Sequence, residues 1–178
     1  MRKIRLTKII ALIFALITPF TNTVYADATR EYQLKAAYLL NFARFIYWPM
    51  EAFASAADKF EICVYGDSPF GDNLKYLLDK KVHGRSIKIN NIEDLSNAKT
   101  CHILFVSESS ETSFYHFSSK MPPYVLTVSD VQGFSAEGGM IEFVRVKNRI
   151  KFEINVTQSG EHGIKYRSQL LEVAEKLR

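Results

Sequence analysis

"SDVQGFSAEGGMIEFVRVKNRIKFEIN", from Ser129 to Asn155, contains two runs of alternating apolar and polar residues on either side of Lys147-Asn148. Such alternation is typical of β-strands, and a short polar pair between two strands is typical of a tight hairpin turn. Gly138 and Gly139 precede a strand, so the helix amino terminus with which a glycine-rich loop binds phosphate is missing. We therefore predict an antiparallel hairpin at the edge of a sheet, and we interpret the two glycines as a structural turn.

Helical and strand patterns alternate in the rest of the chain. Apolar residues recur at helical spacing from Glu31 to Trp48, and Pro49 is expected to end that helix. The pattern predicts strands at residues 59–66, 85–90, 101–108 and 124–130, and helices at residues 73–80 and 111–120. A last helix is predicted after a Ser168 cap, with Leu170, Leu171, Ala174 and Leu177 packed on the sheet. The predicted fold is a single α/β domain, with a mainly parallel sheet flanked by helices and the antiparallel hairpin at its edge.

The amino terminus has the pattern of a secretory signal peptide. Four basic residues accompany an apolar run from Ile9 to Ile17, and Val24 and Ala26 fit a cleavage site. The run is too short to cross a bilayer core of about 30 Å as a helix. We predict that residues 1–26 are removed and that residues 27–178 form one exported domain.

Charge argues against a nucleic-acid-binding protein. The predicted signal peptide holds four of the 23 Lys and Arg residues and none of the 19 Asp and Glu residues, which leaves 19 of each and a net charge of zero. A nucleic-acid interface needs a basic surface to neutralise phosphates. The basic character of the whole chain therefore comes from its first 26 residues.

Cys63 and Cys101 are the two cysteines of the chain. In an oxidising exported compartment an even pair is typical of a disulfide. Two buried thiols and a redox switch are the alternatives. Neither cysteine lies in a CxxC motif or beside a Lys or Arg, which favours the structural bond.

Catalytic motifs are not found in the sequence. The four histidines, His83, His102, His116 and His162, lack metal-ligand spacing, and we interpret them as surface or loop residues. Asp67, Glu108 and Asp130 each follow a predicted parallel strand, at the edge where open α/β folds bind ligands. Three carboxylates there could hold a divalent cation or an ammonium group, which leaves a small-ligand sensor as an alternative function, with a hydrolase as a weaker one.

Aromatic residues suggest a protein-binding surface instead. Phe70 and Phe134 lie in loops whose turn residues predict exposure, and Tyr38 and Tyr47 belong to the aromatic first helix. We take these four residues as candidate partner contacts. Packing of the same rings into the core is the alternative.

Five blocks of sequence together resemble the YfiR family. They are "LKAAYLLNFARFIYWP" (Leu34–Pro49), "ICVYGDSPFG" (Ile62–Gly71), "CHILFVS" (Cys101–Ser107), "LTVSDVQGF" (Leu126–Phe134) and "GGMIEFVRVKNRIKFEIN" (Gly138–Asn155). The resemblance covers nearly all of residues 27–178.

The resemblance implies a periplasmic, non-enzymatic regulator without a cofactor. Members of that family bind the periplasmic domain of an inner-membrane diguanylate cyclase and hold it inactive, which lowers cyclic-di-GMP signalling and biofilm formation. An outer-membrane lipoprotein can sequester them, and a homodimer is a further expectation. The resemblance also implies a disulfide between Cys63 and Cys101. The second cysteine pair that some relatives carry near the hairpin has no counterpart in Val144–Lys151.

Overall fold

Helix α1 (Asn22–Phe45) is the longest element in the part of the chain that the structure describes. The computed structural model describes residues 22–178. The basic and apolar segments of the predicted signal peptide lie outside the described residues, and cleavage after Ala26 stays a prediction.

Helix α1 ends three residues earlier than its apolar pattern predicts, because Ile46–Tyr47 forms strand β1. Trp48 precedes a proline, which disfavours a helical backbone at that position.

One eight-stranded sheet forms the centre of the molecule. Its strands lie in the order β10-β8-β7-β6-β5-β2-β4-β3, and five of the seven neighbouring pairs are parallel. The bounds of these strands are β2 (Phe60–Tyr65), β3 (Lys81–Val82), β4 (Arg85–Ile92), β5 (Ile103–Val106), β6 (Leu126–Ser129), β7 (Ile141–Val146), β8 (Arg149–Ile154) and β10 (Lys176–Leu177). A separate two-stranded sheet pairs β1 with β9 (Lys165–Tyr166). The predicted α/β fold with a mainly parallel sheet is confirmed.

Both faces of the central strands are covered, so the core has two parts. Along β2, Ile62 and Val64 belong to the cluster beneath α1, whereas Cys63 and Tyr65 belong to a second cluster on the opposite face. Helix α2 (Glu111–Phe117) contributes Phe114 to that second cluster. All four residues of β5 are buried, as its continuous apolar run predicts.

The hairpin of β7 and β8 turns at Lys147 and Asn148, which have φ values of 47° and 60°. Two successive positive φ values are typical of the turn that matches the twist of a hairpin. The hairpin is confirmed, but it is not the outermost element. Strand β10 pairs in parallel with Glu153 and Ile154 at the end of β8.

The carboxyl-terminal region differs from the single helix predicted there. Helix α3 (Val156–Glu161) is followed by helix α4, which spans only Ser168–Glu172. Ser168 is the first residue of α4 rather than its cap, which is Arg167. Leu170 is buried as predicted, but Leu177 lies in β10 and is 48% exposed. A strand at this position satisfies backbone groups at the end of β8 that a helix would leave unpaired.

The helix predicted at residues 73–80 is present as a 3-10 helix, Gly71–Asp79, with Leu74 and Leu77 buried.

Cys63 and Cys101 form a disulfide with a Cα–Cα distance of 5.8 Å, as predicted. The bond joins β2 to the residues that precede β5 and closes a loop with a sequence separation of 38.

Among residues 22–178, no helix combines the length and the apolar character needed to cross a membrane.

Candidate functional site

The glycine-rich loop of the opening stretch surrounds a carboxylate of the protein itself. Glu142 is 4% exposed, and its two carboxylate oxygens accept hydrogen bonds from the Gly133 and Ser135 backbone N–H groups and from the Ser135 hydroxyl, at 2.8 to 3.0 Å. The alternation in β7 does not distinguish a buried Glu142 from an exposed polar residue of the strand. Its buried position shows that the loop is held by the sheet, which agrees with a structural turn.

The three carboxylates predicted to line an acidic crevice do follow neighbouring strands. Asp67 follows β2, Glu108 follows β5 and Asp130 follows β6, and these strands lie side by side. However, within residues 22–178 no group of three or more His, Cys, Asp or Glu residues is arranged to hold a metal ion. The Asp130 carboxylate instead contacts Lys35 of α1 at 2.5 Å. The ammonium group that contacts Asp130 therefore belongs to the protein itself and not to a ligand.

Lys35 is the centre of a buried network that sequence analysis missed. Its side chain is only 4% exposed, and its ammonium nitrogen lies 2.5 Å from Asp130 and 2.6 Å from Glu31. The Tyr32 hydroxyl donates to Asp130 at 2.8 Å, and the Lys35 ammonium lies 4.3 Å from the centre of the Tyr32 ring. A lysine four residues after a glutamate within an apolar helix was the available signal.

The network continues from α1 to the hairpin. The second oxygen of Glu31 contacts the Arg145 guanidinium, so Glu31 bridges a buried lysine and an exposed arginine. Burial, and then the charge of Asp130, raise the pKa of Tyr32, which keeps its hydroxyl protonated as a donor. We call Glu31, Tyr32, Lys35, Asp130 and Arg145 the Lys35 network. It fixes the first helix to the sheet and to the hairpin.

A groove of about 670 Å³ lies between α1 and the hairpin, beside the Lys35 network. Its lining residues are Arg30, Glu31, Gln33, Leu34, Ala37, Tyr38, Arg145 and residues 148–151. We call this site the α1–hairpin groove. Its volume falls within the range of about 300–1,000 Å³ that is typical of binding pockets.

The floor of the α1–hairpin groove is apolar and its rim is basic. Leu34 is 45% exposed, which is unusual for a leucine, and Ala37, Tyr38 and Ile150 are half-buried. The rim carries four cationic side chains, Arg30, Arg145, Arg149 and Lys151, and its single carboxylate, Glu31, is already paired twice. An apolar floor with one sign of charge around it is suited to binding an amphipathic anion.

The predicted exposure of Phe70 and Phe134 is wrong. Both side chains are fully buried. The Phe70 ring contacts Phe105 at 4.7 Å between ring centres, and the Phe134 ring contacts Phe114 at 5.0 Å. In this conformation neither ring is available to a partner, because both are buried. The prediction fails because turn residues predict a loop but not the direction of an apolar side chain within it.

Tyr38 and Tyr47 are the two candidate partner contacts that remain accessible. Tyr38 lines the α1–hairpin groove, and its hydroxyl donates to the Ile150 carbonyl oxygen at 3.4 Å. Tyr47 is 53% exposed in β1, with the Arg167 guanidinium 4.6 Å from its ring centre. Tyr47 does not line the groove, so the two tyrosines belong to separate surfaces.

His102 is buried, whereas the sequence suggested a surface or loop residue. It is 5% exposed and stacks between Phe53 and Phe60, at 4.4 and 4.7 Å between ring centres. Its Nδ1 accepts a hydrogen bond from the Glu61 backbone N–H at 3.0 Å. Burial lowers the pKa of His102, so its imidazole is neutral near pH 7.

Comparison with known proteins assigns the chain to a family. Residues 32–175 match the family described as YfiR/HmsC-like. This span includes most of α1 and every strand of the central sheet except β10. A search of curated proteins finds no match. Because the match covers far more than half of the chain, the protein belongs to the YfiR/HmsC-like family.

Proposed function

We propose that this protein is an exported regulatory subunit that binds the periplasmic domain of an inner-membrane diguanylate cyclase and keeps the enzyme inactive. The observation that carries the proposal is the match of residues 32–175 to the YfiR/HmsC-like family, whose members regulate such signalling in the periplasm. The fold is consistent with a binding role, since the described residues include an open groove with an apolar floor.

The mechanism is a shift between two states of the cyclase. A protein that binds the inactive state more tightly than the active state increases the inactive population, and the shift cannot exceed the ratio of the two affinities. A hundredfold preference would turn an equal mixture into one with only about 1% of the enzyme active at saturation. Cyclic-di-GMP synthesis would then rise when the regulator is absent or sequestered. An outer-membrane lipoprotein is the proposed sequestering partner.

Cyclase activity in membrane vesicles tests this function. The membrane enzyme is reconstituted with its periplasmic domain accessible, and cyclic-di-GMP synthesis is measured while this protein is added. We expect synthesis to fall in a saturable manner. The matched control is the same cyclase without its periplasmic domain, which should be insensitive. Equal synthesis with and without the protein, for every candidate cyclase of the source organism, would contradict the proposal.

A further inference from the structure

We propose that the α1–hairpin groove is the docking site for an acidic amphipathic helix of the partner protein. This inference rests on the proposed function for the identity of the partner, but the chemistry of the site stands on its own observations. The groove combines an exposed leucine with a basic rim in a domain whose residues 27–178 have a net charge of zero. The recognition surface is therefore a local concentration of positive charge.

The charges of the rim are available for a partner. Arg30 and Arg149 are exposed, and neither forms an ion pair with a side chain that the structure describes among residues 29–178. Lys151 lies 4.0 Å from Glu175, at the limit of an ion pair. Glu31, the only acidic residue of the lining, is neutralised by Lys35 and Arg145. An acidic segment thus meets unpaired cations without displacing an existing salt bridge.

The dimensions of the groove favour a helix. The lining residues of α1 extend from Arg30 to Tyr38, which is about 12 Å along the helix axis, or two turns. Helix-in-groove recognition places apolar residues at helical spacing on an apolar floor. Leu34, Ala37 and Ile150 supply that floor, and the cations beside it select acidic residues on the flanks of the incoming helix.

Two binding probes test the site. The first is a synthetic peptide of about 18 residues, with Leu at helical spacing and Glu on the other face, long enough for helix formation. Its control peptide carries Lys in place of every Glu. The second probe is the periplasmic domain of the cyclase. Affinities for the purified protein are measured by fluorescence anisotropy at low and physiological salt.

Charge reversal identifies the groove. We expect the variant with Arg30→Glu and Arg149→Glu to lose affinity for the acidic peptide by about tenfold or more, because two attractions become repulsions. Leu34→Gln should also weaken binding, through the apolar floor. The matched control is Lys81→Glu in β3, an exposed residue that does not line the groove and lies six strands away from β8 in the sheet. It should bind like the wild type, and thermal melting should show that all variants are folded.

The outcomes separate this inference from the proposed function. If the cyclase domain binds the wild type and the groove variants equally, the groove is not the docking site although the regulator function stands. If no cyclase binds but the acidic peptide does, in a manner sensitive to the groove variants, the site stands and the partner is a different protein. Binding of octanoate without the peptide would assign the groove to a small amphipathic anion. A dimer lost in the groove variants would assign it to a second copy of the chain. Either result would overturn the proposal.

Discussion

Replacing Lys35 with methionine should destabilise the protein strongly, although it preserves the length and most of the apolar volume of the side chain. The ammonium group of Lys35 is the shared partner of Asp130 and Glu31 at 2.5 and 2.6 Å. Without it, the Tyr32 hydroxyl is the one hydrogen-bond donor to the Asp130 carboxylate that remains within the Lys35 network. Removal of one partner from a buried ion pair costs about 3–5 kcal/mol, since it leaves a buried charge uncompensated.

The expected magnitude is smaller here because water reaches both carboxylates. The side chains of Asp130 and Glu31 are 15% and 22% exposed, and Glu31 keeps its contact with Arg145. We therefore expect Lys35→Met to lower the free energy of unfolding by about 2–3 kcal/mol. With a urea m-value of about 2 kcal/mol/M, this is a decrease in the urea midpoint of about 1–1.5 M.

Urea unfolding followed by circular dichroism measures this loss. Lys75→Met is the matched control, because Lys75 pairs with Asp72 at 2.7 Å while both side chains are more than 70% exposed. The control should change the free energy of unfolding by less than about 0.5 kcal/mol. The double variant Lys35→Met, Asp130→Asn should recover about 1 kcal/mol, since it removes the uncompensated charge. A single variant as stable as the control, or a double variant less stable than the single one, would refute the role assigned to the Lys35 network.

Three further predictions concern the disulfide, the buried histidine and the glycine loop. Replacing Cys63 and Cys101 with alanine should lower the free energy of unfolding by about 4 kcal/mol, since a loop with a sequence separation of 38 is no longer closed in the unfolded chain; a urea midpoint equal to that of the wild type would contradict this. His102 has a folded-state pKa below its ordinary value of about 6.5, so its neutral form contributes stability that is present above that pH and is lost as the pH falls below it. His102→Gln should therefore reduce the decrease in the urea midpoint between pH 7.5 and pH 5.5, and an unchanged pH dependence would be evidence against this assignment. Gly139→Ala should cost about 1–3 kcal/mol, because the new Cβ would lie 2.1 Å from ring carbons of a buried phenylalanine. Gly160→Ala, where no atom lies within 4 Å, should be neutral or stabilising in thermal melts, and similar melting temperatures for the two variants would exclude the close packing of the loop.

Local patterns predict much of the fold because they report on local causes. The alternation on either side of Lys147-Asn148 predicts the hairpin, and the turn residues adopt the positive φ values that the hairpin requires. The continuous apolar run around β5 predicts a strand that is buried on both faces. The prediction fails at the carboxyl terminus, where pairing of Lys176 and Leu177 with β8 overrides a helical pattern.

The candidate site is less accessible to sequence reasoning, because it depends on contacts between distant residues. Lys35 and Asp130 are 95 positions apart, and no local pattern links them. The strand ends correctly suggest that Asp67, Glu108 and Asp130 share one edge of the sheet, but they do not show that Asp130 is already bound by α1. Of the four aromatic contacts expected, Tyr38 lies in the groove, whereas Phe70 and Phe134 are core residues.

The most direct test of the regulatory function is a calorimetric titration of the purified, oxidised protein with the periplasmic domain of a membrane diguanylate cyclase from the same organism. A dissociation constant of about 1 μM or lower, equivalent to about −8 kcal/mol, is the predicted result. The affinity should also fall in the variant that carries Arg30→Glu and Arg149→Glu. The absence of binding at about 100 μM of each protein, for every such cyclase of that organism, would contradict the assignment of this protein as a cyclase regulator.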